Sequence, residues 1–494
     1  MKLLRVHIIS ADTCGGLLDG LDLMLHSHMN EQTTFLPICL VGANGTGKSQ
    51  FLQVVAELFQ SAFHATASGE ERLEGNPGLQ FEVEYLIRAH DDSPLTHVRI
   101  SRRAVNKRKP LVIIQKRLED TWLTCDLKAP ETRALLPRKV IGYTSGANET
   151  LSLPFLLSRS GYAEEVRESA IDRSKNQPVA DTRLMLIDYG THLEVLVANL
   201  LLGSDEQRRA LLAHAHLDDL HSFRCVVQLA HAAAPRAPER SRAASKRKGI
   251  QLTDELERYL EYLQKCATCY QYDDKTETYT FDFLVTDETK AAFRFFWKTA
   301  FELYSAFHKL AMLNDLVIPK HARERFSKET RSRRFASRLP EPQEEDKVFR
   351  FERVNFFAQN RATTVDYVSL SDGEHQFAQL LGTFSMLSFA NVLFLLDEPE
   401  SHFNPRWRLK FVNRLCQLPT PDGNRSSQFA ATRQDCLLTT HSPFIPADLP
   451  KENVFIFNRN PQTRALEVKK PGSETHGASF DAILQVCFGI IPAS

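Results

Sequence analysis

VGANGTGKSQFLQVV, residues 41–55, follows the apolar run FLPICL and leads into FLQVVAELF, whose apolar residues recur at helical spacing. From Gly42 to Ser49 it spells Gly-x-x-x-x-Gly-Lys-Ser. Glycines at 42, 45 and 47 allow backbone dihedrals barred to other residues, so successive N–H groups can turn inward on a polyphosphate. The N-terminus of the following helix adds partial positive charge. On this reading Gly42, Ala43, Asn44, Gly45, Thr46, Gly47, Lys48, Ser49 and Gln50 form the phosphate site. Lys48 reaches the β- and γ-phosphates, and the Ser49 hydroxyl ligates magnesium. A glycine-rich loop matching by chance is the bland alternative, and the downstream sequence decides between them.

NVLFLLDEPESHF, residues 391–403, is an apolar strand that ends in two carboxylates, the form expected of a buried parallel strand delivering acids to a phosphate site. Asp397 can hold the magnesium shell and Glu398 can polarise the attacking water. A surface acidic turn is the weaker reading, because the consecutive apolar residues Val392 to Leu396 precede the pair. CLLTTHSPF, residues 436–444, is again an apolar strand with a polar tip, His441. A lone histidine is usually structural; at the end of a third core strand it reads as a γ-phosphate sensor. In VSLSDGEHQFAQLLGTFSML, residues 368–387, Ser371, Asp372 and Gly373 precede an apolar helix, with Glu374 in the capping position.

Phosphate loop, Ser-x-Gly-Glu turn, Asp-Glu-Pro strand and strand-Thr-His-Ser, in this order, resemble the motif series of ABC-type ATPase heads, in the branch of RecF, Rad50, SMC heads and OLD-type ATPases. DEPESHFNP, residues 397–405, is similar to that branch's Asp-Glu-Pro-Glu-x-His-x-His-Pro, with Asn404 in place of the second histidine. Asp372 departs from the Ser-Gly-Gly-Gln of transporters. PRKVIGYTSGANETLSLPF (137–155) and ETHGASFDAIL (474–484) resemble stretches of stand-alone defence ATPases linked to restriction systems, Septu and retrons, nearest to the PtuA type of Septu. The resemblance implies an α/β fold: an ABC-type P-loop head with a mixed sheet core, an antiparallel β layer and an inserted compact helical lobe. It also implies that two heads sandwich two ATP molecules with Mg2+. One head would supply Lys48, Ser49, Asp397, Glu398 and His441, and the other Ser371 and Gly373. The same resemblance implies a homodimer or higher oligomer, and for a PtuA-like protein an HNH nuclease partner and a role in antiphage defence.

Composition agrees with a cytoplasmic machine. The chain has 494 residues, more than one ordinary domain, and 43% of them are hydrophobic, enough for a substantial core. Lys+Arg and Asp+Glu balance at 61 each, so any nucleic-acid contact must come from a local patch and not from a global field. No charged-then-apolar leader is visible, and no apolar run nears the roughly 18 residues of a membrane span. Nine scattered cysteines read as reduced thiols.

Along the chain, residues 1–154 read as the first half of the head, 155–345 as the helical insertion and 346–494 as the second half. LQFEVEYLI, THVRISRRA, PLVIIQKRL and TWLTCDL, within residues 79–127, predict an antiparallel meander. KVIGY, 139–143, is a core strand leading to the position of a Q-loop; no glutamine stands there, leaving Ser145, Asn148 or Glu149. In the insertion, THLEVLVANLLLG, EQRRALLAHAHL, TDELERYLEYLQKCATCYQ and the long segment 288–316 carry helical spacing, with a strand-like interruption at YTFDFLV. Pro235, Pro238 and the lack of sustained heptads favour a compact lobe over a coiled coil. APRAPERSRAASKRKG, 234–249, has the composition of a disordered loop.

Three constellations remain. Cys266 and Cys269 have metal-ligand spacing without a second pair, which favours helical core cysteines. His214, Asp218 and His221 share one face of a predicted helix, where an exposed polar face is the favoured reading over a ligand set. Lys320, Arg323, Arg325, Lys328, Arg331, Arg333, Arg334 and Arg338 form a basic run opposed only by Glu324 and Glu329. It is a solvated face or a docking site for DNA, RNA or an acidic partner. A RecF-like DNA-repair ATPase and a nucleotide-gated scaffold with little hydrolysis are the rival functions.

Overall fold

The computed structural model describes residues 1–490 except 13, 27–33, 68, 105–109, 146–148, 172–177, 231–246, 332–341, 360–362, 421–422, 426–429, 431–432, 461 and 464. Asn148, Arg333, Arg334 and Arg338 lie outside the described residues, as does most of the 234–249 loop. Two compact units divide the chain: unit 1 comprises Met1–Ser158, Thr182–Tyr189 and Ser388–Ser494, and unit 2 comprises Arg159–Asp181 and Gly190–Leu387.

Unit 1 holds a seven-stranded sheet in the order β20 (Leu466–Lys469), β19 (Val454–Arg459), β3 (Ile38–Val41), β18 (Asp435–Thr439), β15 (Val392–Asp397), β8 (Lys139–Thr144), β9 (Leu184–Ile187). All neighbours from β19 to β9 pair in parallel, and only β20 is antiparallel. The same unit carries a short antiparallel pair, β16 (Pro419–Thr420) and β17 (Gly423–Asn424). Strands β3, β8, β15 and β18 are buried at every position, as continuous apolar runs become when both faces of a parallel sheet are covered. In register, Asp397 pairs with Thr439 on one side and Thr144 on the other, while Thr439 pairs with Leu40. The carboxyl ends of four strands are therefore level.

A second sheet of unit 1 runs β2 (Asp22–Met24), β1 (Lys2–Ser10), β4 (Gln80–Ile87), β5 (Thr96–Arg103), β6 (Leu111–Leu118), β7 (Thr121–Thr124), antiparallel throughout. The last four are the meander expected over 79–127. Helix α1 (Lys48–Thr66) is buried along most of its length, and Phe51, Phe59 and Phe63 share one apolar core with Val6, Phe81 and Val83 of this sheet and Leu40, Leu393 and Leu437 of the parallel one. At roughly 1.5–3 kcal/mol per fully buried large apolar side chain, this core fixes where the loop ahead of α1 must sit.

Unit 2 departs from an all-helical lobe. It contains a five-stranded antiparallel sheet, β11 (Cys269–Asp273), β12 (Thr278–Leu284), β10 (Leu217–Gln228), β13 (Phe349–Ala358), β14 (Thr364–Asp366). Stacked rings bind β10 to β12, with Phe223 and Phe283 at 4.3 Å. Helices His192–Leu202, Asp254–Cys266, Asp287–Phe296 and Ala300–Met312 follow the helical spacing read from the sequence. Thr253, Thr286 and Thr299 cap the last three with their side-chain oxygens. The sequence boundary between residues 345 and 346 falls inside this unit, which continues through β13 and β14 to the helix Asp372–Met386.

Two constellations resolve differently from their sequence reading. The helix Asp205–Leu212 stops before His214, which sits in a single 3-10 turn, and Asp218 and His221 lie on strand β10. His221 is bonded to the Ser222 hydroxyl (2.9 Å) and packs edge-on against Phe357. Among the described residues no group of three or more His, Cys, Asp or Glu could hold a metal ion. Cys266 is a buried helical residue as expected, but Cys269 is exposed on the edge strand β11.

Candidate nucleotide-binding site

The turn between β3 and α1 has the backbone its glycines foretell, with φ of 140° at Gly42, 72° at Gly45 and 96° at Gly47. Gly42 is required twice over, since a Cβ there would lie 2.1 Å from the Phe457 carbonyl oxygen. Ala43, Asn44 and Gly45 are exposed at the crest; Thr46, Gly47 and Lys48 are buried; Ser49 and Gln50 are half-buried. The Thr46 hydroxyl donates to the Ala43 carbonyl (2.8 Å), closing the loop on itself. The Lys48 ammonium donates to the carbonyls of Gly42 (2.9 Å) and Ala43 (3.0 Å), which holds it under the loop crest. Burial lowers the Lys48 pKa to about 8, with Glu398 and Asp397 pulling the other way. An incoming phosphate would favour the charged form of this amine.

The two acids stand where the level strand ends put them. Asp397 Oδ1 accepts the hydroxyls of Ser49 (2.8 Å) and Thr439 (2.5 Å), and burial is the main cause of its raised pKa. Thr439 Oγ1 also accepts the Glu398 N–H (3.1 Å). Glu398 turns the chain with φ 47°, a left-handed conformation that non-glycine residues seldom adopt. His441 Nε2 lies 3.3 Å from Glu398 Oε1, and this contact holds the Glu398 carboxyl below its ordinary range. Lys48, Ser49, Asp397, Glu398 and His441, separated by nearly 400 residues of sequence, thus share one edge of one sheet. The convergence of Ser49 and Asp397 fits a magnesium site of the nucleotide type, with one carboxylate and one hydroxyl leaving positions for phosphate oxygens.

Ser371 and Gly373 belong to unit 2. Ser371 is exposed and caps the helix Asp372–Met386, accepting the Glu374 N–H while Glu374 Oε2 accepts the Ser371 N–H (2.8 Å), the reciprocal box that the sequence suggested. Gly373 is buried. Asn404 caps the turn Pro405–Arg408 by accepting the Trp407 N–H (3.0 Å), an N-cap role that its short amide suits. At the Q-loop position Ser145 is half-buried just beyond β8, and the Glu149 side chain is outside the described residues. In the basic run, Arg323 is engaged by Glu164 (2.7 Å), while Lys320 and Arg325 lie within 3.9 Å of Glu324 and Glu329. Sequence reasoning passes over Thr439, Thr440 and Glu400, although both the Thr-Thr pair before His441 and the second glutamate of DEPE are visible in it.

A family model described as "AAA domain, putative AbiEii toxin, Type IV TA system" matches residues 277–448, about a third of the chain. The matched span includes Ser371, Gly373, Asp397, Glu398 and His441. It supports an ATP-binding P-loop ATPase of the RecF/Rad50/SMC/OLD type. No curated protein matches the chain. None of the described helices is long and apolar enough to cross a membrane.

Proposed function

We propose that this chain is an ABC-type ATPase that dimerises around ATP and regulates a partner effector nuclease in antiphage defence, as its likeness to the PtuA type suggests. The observation that carries the nucleotide chemistry is the convergence of Lys48, Ser49, Asp397, Glu398 and His441 at the carboxyl edge of the parallel strands. Lys48 and the loop N–H groups would bind the phosphates, and Ser49 and Asp397 would hold Mg2+. When bound, the ion neutralises developing charge on the phosphoryl oxygens. Glu398 would orient and deprotonate water, with His441 fixing the carboxylate through the contact they already make. Dimerisation rests on Ser371, exposed at a helix N-terminus, which can offer a hydroxyl and partial positive charge to the γ-phosphate of a second head. The defence reading accords with the toxin–antitoxin context in the matched family's description. Within it, the segment 320–338 is the proposed docking surface for the HNH-type effector or for nucleic acid, carried by its residues other than Arg323.

Glu398→Gln keeps the shape of the side chain and removes the base. It should bind ATP, lower turnover by about a hundredfold or more, and accumulate as a dimer by light scattering in Mg-ATP. A variant that hydrolyses ATP at the parent rate would place water activation elsewhere; one that binds ATP but stays monomeric would remove the sandwich.

A further inference from the structure

Glu400 is 3% exposed and lies on the turn closed by the Ser401 N–H on the Glu398 carbonyl (3.2 Å). Its Oε1 accepts the Thr440 hydroxyl, and its Oε2 is buried with no hydrogen-bond partner among the described residues. Thr440 Oγ1 also accepts the Ser442 N–H (2.9 Å), and the Thr440 N–H donates to the Leu40 carbonyl (3.1 Å). One threonine therefore ties together the turn bearing Glu398, the loop bearing His441 and the strand that feeds the phosphate loop.

Two physical arguments give this tie a purpose beyond packing. Glu398 holds φ 47°, and a left-handed non-glycine residue persists only when its surroundings over-determine it. The buried carboxyl two residues on, anchored to the neighbouring loop, is such a constraint. A carboxyl is also a costly group to bury where an apolar side chain of similar volume would pack, and burial pushes that of Glu400 up to about 7 against the weaker opposing pull of the Thr440 hydroxyl it accepts. Its retention makes sense if the Thr440 bond is what matters.

We propose that Glu400 and Thr440 are positioning residues for ATP hydrolysis: their bond fixes the Glu398 turn against the His441 loop and so sets the 3.3 Å contact between Glu398 and His441. This inference rests on the ATPase reading above. The bond needs only an acceptor on residue 400 and a hydroxyl on residue 440, so conservative and isosteric substitutions separate it from simple space-filling.

The test is steady-state ATP hydrolysis, equilibrium ATP binding and thermal unfolding on the full chain for the parent, Thr440→Val, Thr440→Ser and Glu400→Gln. Thr440→Val should lower kcat by about tenfold to a hundredfold while leaving ATP affinity nearly unchanged, the split expected when only positioning is lost. Thr440→Ser, which restores the hydroxyl, and Glu400→Gln, which keeps the acceptor, should both stay within about threefold of the parent. Parental turnover in Thr440→Val overturns the inference. So does a joint fall of kcat, affinity and unfolding temperature that Thr440→Ser fails to rescue, which would make the tie merely structural. A parent that binds ATP without turning it over sinks the hydrolysis reading itself, and the positioning role with it, before any variant is compared.

Discussion

Both units are built on a sheet, yet they use strand ends in opposite ways. In unit 1, six neighbouring strands run parallel, so the ends of β3, β15 and β18 gather Lys48, Asp397, Glu398 and His441 at one edge. In unit 2 every strand pairing among the described residues is antiparallel, ends alternate between the two edges, and the exposed Ser371 comes instead from a helix N-terminus beyond β14. Parallel topology concentrates chemistry distant in sequence; antiparallel topology distributes it. A disturbance of the strand ends in unit 1 should therefore remove nucleotide binding, while one of equal steric size in unit 2 should cost stability alone.

Two glycines give the largest and sharpest form of that contrast. Gly42→Ala puts a Cβ 2.1 Å from the Phe457 carbonyl at φ 140°, and Gly249→Ala puts one 2.0 Å from the Leu229 carbonyl in unit 2. Each should cost more than about 4 kcal/mol in denaturant unfolding. Only the first should abolish ATP binding by the protein that remains folded; if Gly249→Ala does so equally, the division of labour between the units is wrong. Gly45→Ala, at φ 72° with open space around it, should cost only about 1–2 kcal/mol.

A smaller effect comes from Glu71 in unit 1, whose carboxyl is pushed up to about 7 by burial although Ser158, Leu73 and Gln60 all donate to it. Its folded pKa lies above its ordinary value of 4.5, so the folded state binds more protons between pH 4.5 and pH 7. Stability from this group is present below that window, is lost as pH rises through it and stays level above. The loss should be on the order of 3 kcal/mol. Glu71→Gln should flatten the dependence of the unfolding midpoint on pH and exceed the parent at pH 8; an unchanged slope would assign the titration to another group. Thr253→Ala, which removes a helix cap in unit 2, is the smallest case, at about 1 kcal/mol with unaltered ATP affinity.

The legibility of the sequence divides along the same line. In the parallel sheet of unit 1, β3, β15 and β18 are buried along their whole length and lead straight into the reactive residues, so these strands and the phosphate loop can be read directly. Strand β10 cannot. Its buried Leu217, Leu220 and Phe223 fall three apart because register shifts interrupt the pairing with β13, and that spacing imitates a helix. This is why His214, Asp218 and His221 read as one helical face. Strand β11 is exposed at every residue, so it carries no alternation to detect. Thr440 and Glu400 escape a sequence reading for another reason: their bond depends on strand register, which no single motif reports.

Calorimetric titration of Mg-ATP into the parent and Lys48→Ala tests the central claim most directly. The parent should bind, and the variant should bind more weakly by about 1.5–3 kcal/mol, the worth of a charge-assisted phosphate contact, or roughly tenfold to just over a hundredfold in Kd. Equal affinities, or no binding by the parent, would contradict the account.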